Sequence, residues 1–138
     1  MDMYADIILE HYKHPQNHGT LQNASVTHEE YNPLCGDKIT IQLLIENDKI
    51  KDVKFVGKGC AISIASTSML TDAIKNQSIE EIKKLDKEYI LDLLGVDINP
   101  ARMKCATIGM KTLKLAVYHF LINNHKKVSE KEFSVKEE

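Results

Sequence analysis

Lys38-Ile39-Thr40-Ile41-Gln42-Leu43-Leu44-Ile45-Glu46-Asn47-Asp48-Lys49-Ile50-Lys51-Asp52-Val53-Lys54-Phe55 is the stretch whose pattern settles the fold class. Ile39, Ile41, Leu43 and Ile45 alternate with Thr40, Gln42 and Leu44, the period of two that lines one face of a strand. Asn47-Asp48 makes a turn, and Ile50, Val53 and Phe55 continue on a return strand, so the stretch predicts a hairpin. Leu44 breaks the strict alternation, which predicts partial cover on both faces.

Toward the C-terminus the pattern turns helical. Gly57 and Gly59 end the strand, and Cys60 opens a run of small and apolar residues, Ala61 to Ile74, read as a helix. Ser78 with Glu81 has the spacing of a capping box for a helix over Ile79 to Leu85. A further short helix is expected over Lys87 to Leu94, terminated by Gly95. Asn99 and Pro100 have the chemistry of a cap and first turn for a last helix. On it Met110, Leu113, Val117, Phe120 and Leu121 mark one face. Met69, Met103 and Met110 read as core filler.

Toward the N-terminus, Tyr4, Ile7, Ile8, His11 and Tyr12 sit at helical spacings within Met3 to Lys13. Pro15 and Asn17-His18-Gly19 stop that helix, and the weak alternation up to Tyr31 leaves room for one strand. After Asn124 nearly every residue is Lys, Glu or Ser apart from Phe133 and the valines. Residues 125–138 are therefore expected as a frayed, charged tail on a domain spanning 1–124. Helix, strands, then helices imply an α+β domain with helices packed on one antiparallel sheet.

Composition narrows the function. The 138 residues suit one domain, and 43% hydrophobic with 28% charged residues is ordinary for a globular chain. A net charge of -2 makes no field that would draw nucleic acid or an anionic membrane. No basic start precedes an apolar run, and no apolar stretch nears the roughly 20 residues that span a bilayer, so a cytoplasmic location is expected. The scattered His11, His14, His18, His119 and His125 read as surface residues rather than a metal site.

Three cysteines, an odd number in a compartment that keeps thiols reduced, each fall at a junction between elements. Cys35 lies in Asn32-Pro33-Leu34-Cys35-Gly36-Asp37, Cys60 in Gly57-Lys58-Gly59-Cys60, and Cys105 one turn into the last helix. Helix N-termini and the nearby Lys58, Arg102 and Lys104 would stabilise thiolates at Cys60 and Cys105. Asp37 is close enough to Cys35 in sequence to aim at the same ion. Three thiolates and a carboxylate can complete a tetrahedral zinc shell or ligate a small iron–sulfur cluster. The separations of 25 and 45 residues between successive cysteines follow no paired-ligand pattern. From the residues alone, a shared metal site stands beside one reactive thiol with two packed ones.

Three segments resemble the IscU/SufU/NifU N-terminal family of iron–sulfur assembly proteins. They are Asn32 to Asp37, Gly57-Lys58-Gly59-Cys60-Ala61-Ile62-Ser63-Ile64-Ala65-Ser66, and Arg102-Met103-Lys104-Cys105-Ala106. The opening Tyr4 to Gly19 is similar as well, and the likeness runs up to Asn124. The resemblance implies a three-stranded antiparallel sheet with helices on one face. It implies a scaffold that accepts sulfur from a cysteine desulfurase and builds a transient [2Fe-2S] cluster for apo iron–sulfur proteins. It implies that Cys35, Asp37, Cys60 and Cys105 are the ligands. Cys105 is the candidate persulfide acceptor, its pKa expected to be lowered by Lys104 and the helix start, with Arg102 in support. On this reading the chain is a scaffold rather than an enzyme, with no nucleic-acid or membrane partner.

The branch stays open. Lys104 replaces the histidine usual before the third cysteine in IscU scaffolds, and Val96-Asp97-Ile98-Asn99-Pro100 replaces their Leu-Pro-Pro-Val-Lys chaperone segment. Ala101-Arg102 with Lys104 looks instead like SufU, whose members bind zinc and act as sulfur acceptors for the desulfurase. The interval between Cys60 and Cys105 is of the shorter IscU length. A zinc-binding sulfurtransferase is thus the alternative to the cluster scaffold, and a structural zinc domain is the weakest of three readings. Zinc in a purified sample would fit either of the first two, since a soft site takes zinc when iron is scarce.

Overall fold

The structure is a computed structural model and describes residues 3–135. A helix α1 (Met3–Lys13) precedes three strands, β1 (Val26–Asn32), β2 (Asp37–Glu46) and β3 (Lys49–Lys58). Four helices follow: α2 (Ala61–Ala73), α3 (Ile79–Lys83), α4 (Lys87–Leu94) and α5 (Met103–Asn123). A short 3-10 turn, Pro100–Arg102, leads into α5, and another spans Glu130–Phe133. The sheet is antiparallel in the order β1-β2-β3, as the resemblance implied.

Register explains where the site lies. Central β2 buries Ile39, Ile41, Leu43 and Ile45 in one row, while Lys38, Thr40, Gln42 and Leu44 are only half-buried. Asp37 is two residues before Ile39, so the pleat carries its carboxylate onto the core face, where it is wholly buried. Asn32 pairs with Asp37 across the β1–β2 hairpin, which leaves residues 33–36 as a tight turn presenting Cys35. The Gly36 N–H donates to Asn32 O at 2.8 Å and the Leu34 N–H to Asn32 Oδ1 at 3.2 Å, closing that turn.

Helices α2 and α5 cover the sheet's core face and pack on each other, with α1 and α4 against α2. Helix α2 is enclosed almost all round, every residue from Ser63 to Thr71 being buried. Its small hydroxyl residues suit that place: Thr67 and Ser66 donate to Ser63 O, and Thr71 donates to Ser68 O, so no hydroxyl proton is wasted. Ser68 Oγ accepts from the Gln16 N–H and contacts His11 Nδ1, both at 2.7 Å, tying α1 to α2. Gly109 of α5 presses on Thr67 so closely that a side chain there would strike its hydroxyl and lie 3.1 Å from its Cα. That approach draws the second turns of α2 and α5 together.

The element boundaries follow the sequence reading closely: the Ser78–Glu81 capping box and the left-handed Gly95 are both present, and Asp86 adds a cap to α4 that the sequence reading did not name. Two details differ. Pro100 begins a 3-10 turn and α5 proper starts at Met103. The segment after Asn124 is docked rather than frayed as far as Val135. Ser129 and Glu132 cap its 3-10 turn, Phe133 is 1% exposed, and Lys114 Nζ donates to Ser134 O at 3.3 Å. Residues 136–138 lie outside the described residues. One buried aromatic ring outweighs the flanking charges, which stay in solvent.

Candidate metal centre

Three elements converge at the sheet's end. The β1–β2 turn carries Cys35, β2 begins with Asp37, and the third residue of α5 is Cys105. One side-chain ligand atom from each lies within 4.8 Å of the other two. The sulfurs of Cys35 and Cys105 are 3.3 Å apart. Cys35 is exposed, Cys60 half-buried and Cys105 buried.

Asp37 is held by one oxygen only. Its Oδ1 accepts the Cys60 N–H at 3.1 Å and the Ser63 hydroxyl at 3.1 Å, at the N-terminus of α2 where the helix dipole favours an anion. Its Oδ2 is buried with no hydrogen-bond partner. A buried carboxylate oxygen left bare costs roughly 1–3 kcal/mol, so the fold retains an acceptor that a cation can satisfy. Gly59 makes this possible: a side chain there would run into the Asp37 carboxylate and Ser63 Oγ.

Cys60 is not within mutual reach of all three, but its thiol interacts with that of Cys105. It is the N-cap residue of α2, with its Sγ 3.8 Å from Ser63 Oγ. Burial works to raise its pKa, but the Ser63 backbone N–H and hydroxyl outweigh that, and the thiol sits below its ordinary value. Cys105 is the reverse. Burial first, then the Cys35 and Asp37 side chains and the negative charges around them, push its thiol far up. The lowered pKa expected from Lys104 and the helix start is therefore not found. Lys104 and Arg102 are exposed, and Lys104 faces a separate recess with Asn32 and Lys111, whereas the Cys105 sulfur points inward to a thiol and a carboxylate.

Of the four predicted ligands, the structure thus gathers Cys35, Asp37 and Cys105, and links Cys60 to them through its backbone bond to Asp37 and its thiol's interaction with that of Cys105. The donor set of two sulfurs, one bare carboxylate oxygen and a neighbouring sulfur fits a thiophilic cation. Sequence reasoning missed Ser63, which holds both Asp37 and Cys60. Its place three residues after a helix-opening cysteine was the available signal.

This fold and this cysteine–aspartate cradle define an assembly protein of the NifU-like N-terminal class. The chain belongs to the NifU-like N terminal domain family, whose profile matches residues 3–127. It is 40% identical to the zinc-dependent sulfurtransferase SufU of Bacillus subtilis (strain 168), over 132 aligned positions that cover 83% of this chain and 89% of that protein. It is 32% identical to the iron-sulfur cluster assembly scaffold protein IscU 1 of Archaeoglobus fulgidus over 136 positions, covering 99% and 88%. The crystal structure of a putative SUF-system scaffold protein from Fervidobacterium islandicum AW-1 superposes with a TM-score of 0.68. It is 33% identical and covers 81% of this chain and 94% of that one. The first alignment spans more positions than the part of this chain it covers, so that relative carries residues this chain lacks.

Proposed function

We propose that the chain is an iron–sulfur cluster assembly scaffold that accepts sulfur from a cysteine desulfurase, assembles a [2Fe-2S] cluster and passes it to apo iron–sulfur proteins. The observation that carries this reading is the bare, buried Asp37 Oδ2 grouped with the Cys35 and Cys105 sulfurs. Cys60, whose N–H already anchors the same carboxylate, is the fourth proposed ligand. An oxygen ligand holds soft iron less firmly than sulfur does, so one carboxylate among thiolates makes a cluster easier to release. The cluster is cargo, and the protein's part is to place four donors and keep one of them weak.

Sulfur is proposed to enter at exposed Cys35 and reach Cys105, the candidate terminal acceptor, across their 3.3 Å contact. Lys104 and Arg102, exposed at the start of α5, would meet the desulfurase rather than tune the thiol. The near-continuous alignment with a protein named as a scaffold supports the cluster reading.

Lys104 and the identity to a zinc-dependent sulfurtransferase favour a second reading, in which zinc occupies the cradle and the protein serves as the desulfurase's sulfur acceptor. Anaerobic incubation with iron, cysteine and a desulfurase separates the two. Visible cluster bands in wild type, lasting longer in Asp37→Ala, are the expected result. No bands, together with zinc-dependent stimulation of the desulfurase, would replace the scaffold reading with the second.

A further inference from the structure

The Cys35 and Cys105 sulfurs touch at 3.3 Å, while Cys60 interacts with the Cys105 thiol alone of the two. Two thiolates sharing one tetrahedral zinc, with Zn–S about 2.3 Å, would sit about 3.8 Å apart. The Cys35–Cys105 pair is closer than ligation asks, and a reaction between the two sulfurs is what such an approach serves. Sulfur arriving as a persulfide has the oxidation level of elemental sulfur and must gain two electrons to become sulfide. Two adjacent thiols hold two such electrons.

We propose that Cys35 and Cys105 form an internal dithiol that reduces delivered persulfide sulfur to sulfide, ending as a Cys35–Cys105 disulfide. The inference rests on the sulfur-acceptor reading above and adds where the electrons come from. With the persulfide on exposed Cys35, the Cys105 sulfur attacks the Cys35 Sγ, to which the outer sulfur is bonded. The new Cys35–Cys105 bond forms as the persulfide bond breaks. The outer sulfur leaves with the bonding pair as hydrosulfide, and the Cys105 proton passes to it or to water. One persulfide and one thiol thereby give one disulfide and one hydrogen sulfide, with atoms and electrons balanced and no metal involved. A persulfide on Cys105 attacked by Cys35 gives the same products. An external dithiol then resets the pair by ordinary exchange.

The placement suits this chemistry. Cys35 stands on the exposed turn, so its outer sulfur can point to solvent while Cys105, buried in the first turn of α5, lies behind the sulfur to be attacked. Closing 3.3 Å to a disulfide bond of about 2.05 Å asks for a shift of roughly an ångström, which a four-residue turn can supply. The disulfide would also remove two ligands from the cradle, so sulfide release and metal holding would alternate at one place.

The test uses the full chain, stripped of metal and free thiol, under argon with one equivalent of glutathione persulfide. Sulfide is measured by colour assay, and the protein by intact mass and peptide mapping. In wild type, about one sulfide per chain should appear with a peptide cross-link joining Cys35 to Cys105. Cys35→Ser and Cys105→Ser should each keep the added sulfur on one of their two remaining thiols and release about tenfold less sulfide. Wild type that holds its persulfide until dithiothreitol is added, or that releases sulfide only with formation of a protein–glutathione mixed disulfide, would overturn the inference and leave the acceptor reading standing. Failure of wild type and both variants to take up sulfur at all would overturn that reading as well.

Discussion

Lys114 on α5 and Asp37, which lies beside Cys105 roughly two and a half turns nearer that helix's start, are both buried and ionisable, and the fold treats them in opposite ways. Lys114 Nζ donates to Lys83 O at 3.0 Å, Leu85 O at 2.6 Å and Ser134 O at 3.3 Å. Its three protons meet three carbonyls, which joins α5 to the end of α3 and to the C-terminal segment. Burial lowers its pKa, and the negative charge of Asp86 partly opposes that. Beside Cys105, Asp37 has one oxygen doubly satisfied and the other bare. A fully paired buried group does structural service. A half-paired one keeps part of its interaction energy for a ligand, which is how a small domain can hold a binding site inside its own core.

That contrast breaks if the two ends respond alike. The largest effect should come from Lys114→Met, which keeps the bulk but strands three carbonyls: about 3 kcal/mol lost by urea denaturation, with Phe133 becoming accessible. A variant as stable as wild type would mean that those carbonyls find other donors and that Lys114 locks nothing. Next in size is Gly59→Ala, whose methyl would push on the Asp37 carboxylate and Ser63. Zinc affinity measured by chelator competition should fall by about tenfold, with about 1–3 kcal/mol of urea stability lost to the crowding and to the backbone strain of a side chain there. Unchanged zinc affinity in a folded variant would take Asp37 out of the ligand set.

The smallest effect concerns pH at the docked segment. The Ser129 N–H and then Lys83 hold the Glu132 carboxyl below its ordinary value. Its stabilisation is complete above the unfolded carboxylate pKa of about 4.3 and is lost as pH falls through the lower folded value. Hydrogen exchange around Phe133 should therefore quicken on acidification below that range while the core of β2 stays protected. Glu132→Gln should weaken this pH step, and an unchanged step in that variant would assign it to another group.

Much of the fold was legible in local patterns. The alternation through Ile39 to Ile45, the Asn47-Asp48 turn and the caps at Ser78 and Gly95 depend on residues within a few positions of each other. So did the identity of the donors, because a cysteine at an element junction is visible without coordinates. Phe133 was passed over since its neighbours are charged, and no periodicity marks a single ring filling a gap between α5 and the rest. The pKa of Cys105 was misread for a related reason. Lys104 is adjacent in sequence, but successive residues on a helix point in different directions, and only the packing showed that the sulfur faces Asp37 and Cys35.

The amino-acid order by itself determined a helix, a hairpin with room for a third strand, a run of helices, and three thiols with one carboxylate at their junctions. Only the tertiary structure decided which of them meet. The Asn32–Asp37 register sets Cys35 and the carboxylate at one end of the sheet, and the Gly109–Thr67 crossing brings Cys105 beneath them. Cys60, closer to Cys35 in sequence than Cys105 is, reaches the group through Asp37 and Cys105 instead. Ligand geometry is a sum of long-range contacts, and no spacing along the chain encodes a 3.3 Å approach between residues 35 and 105.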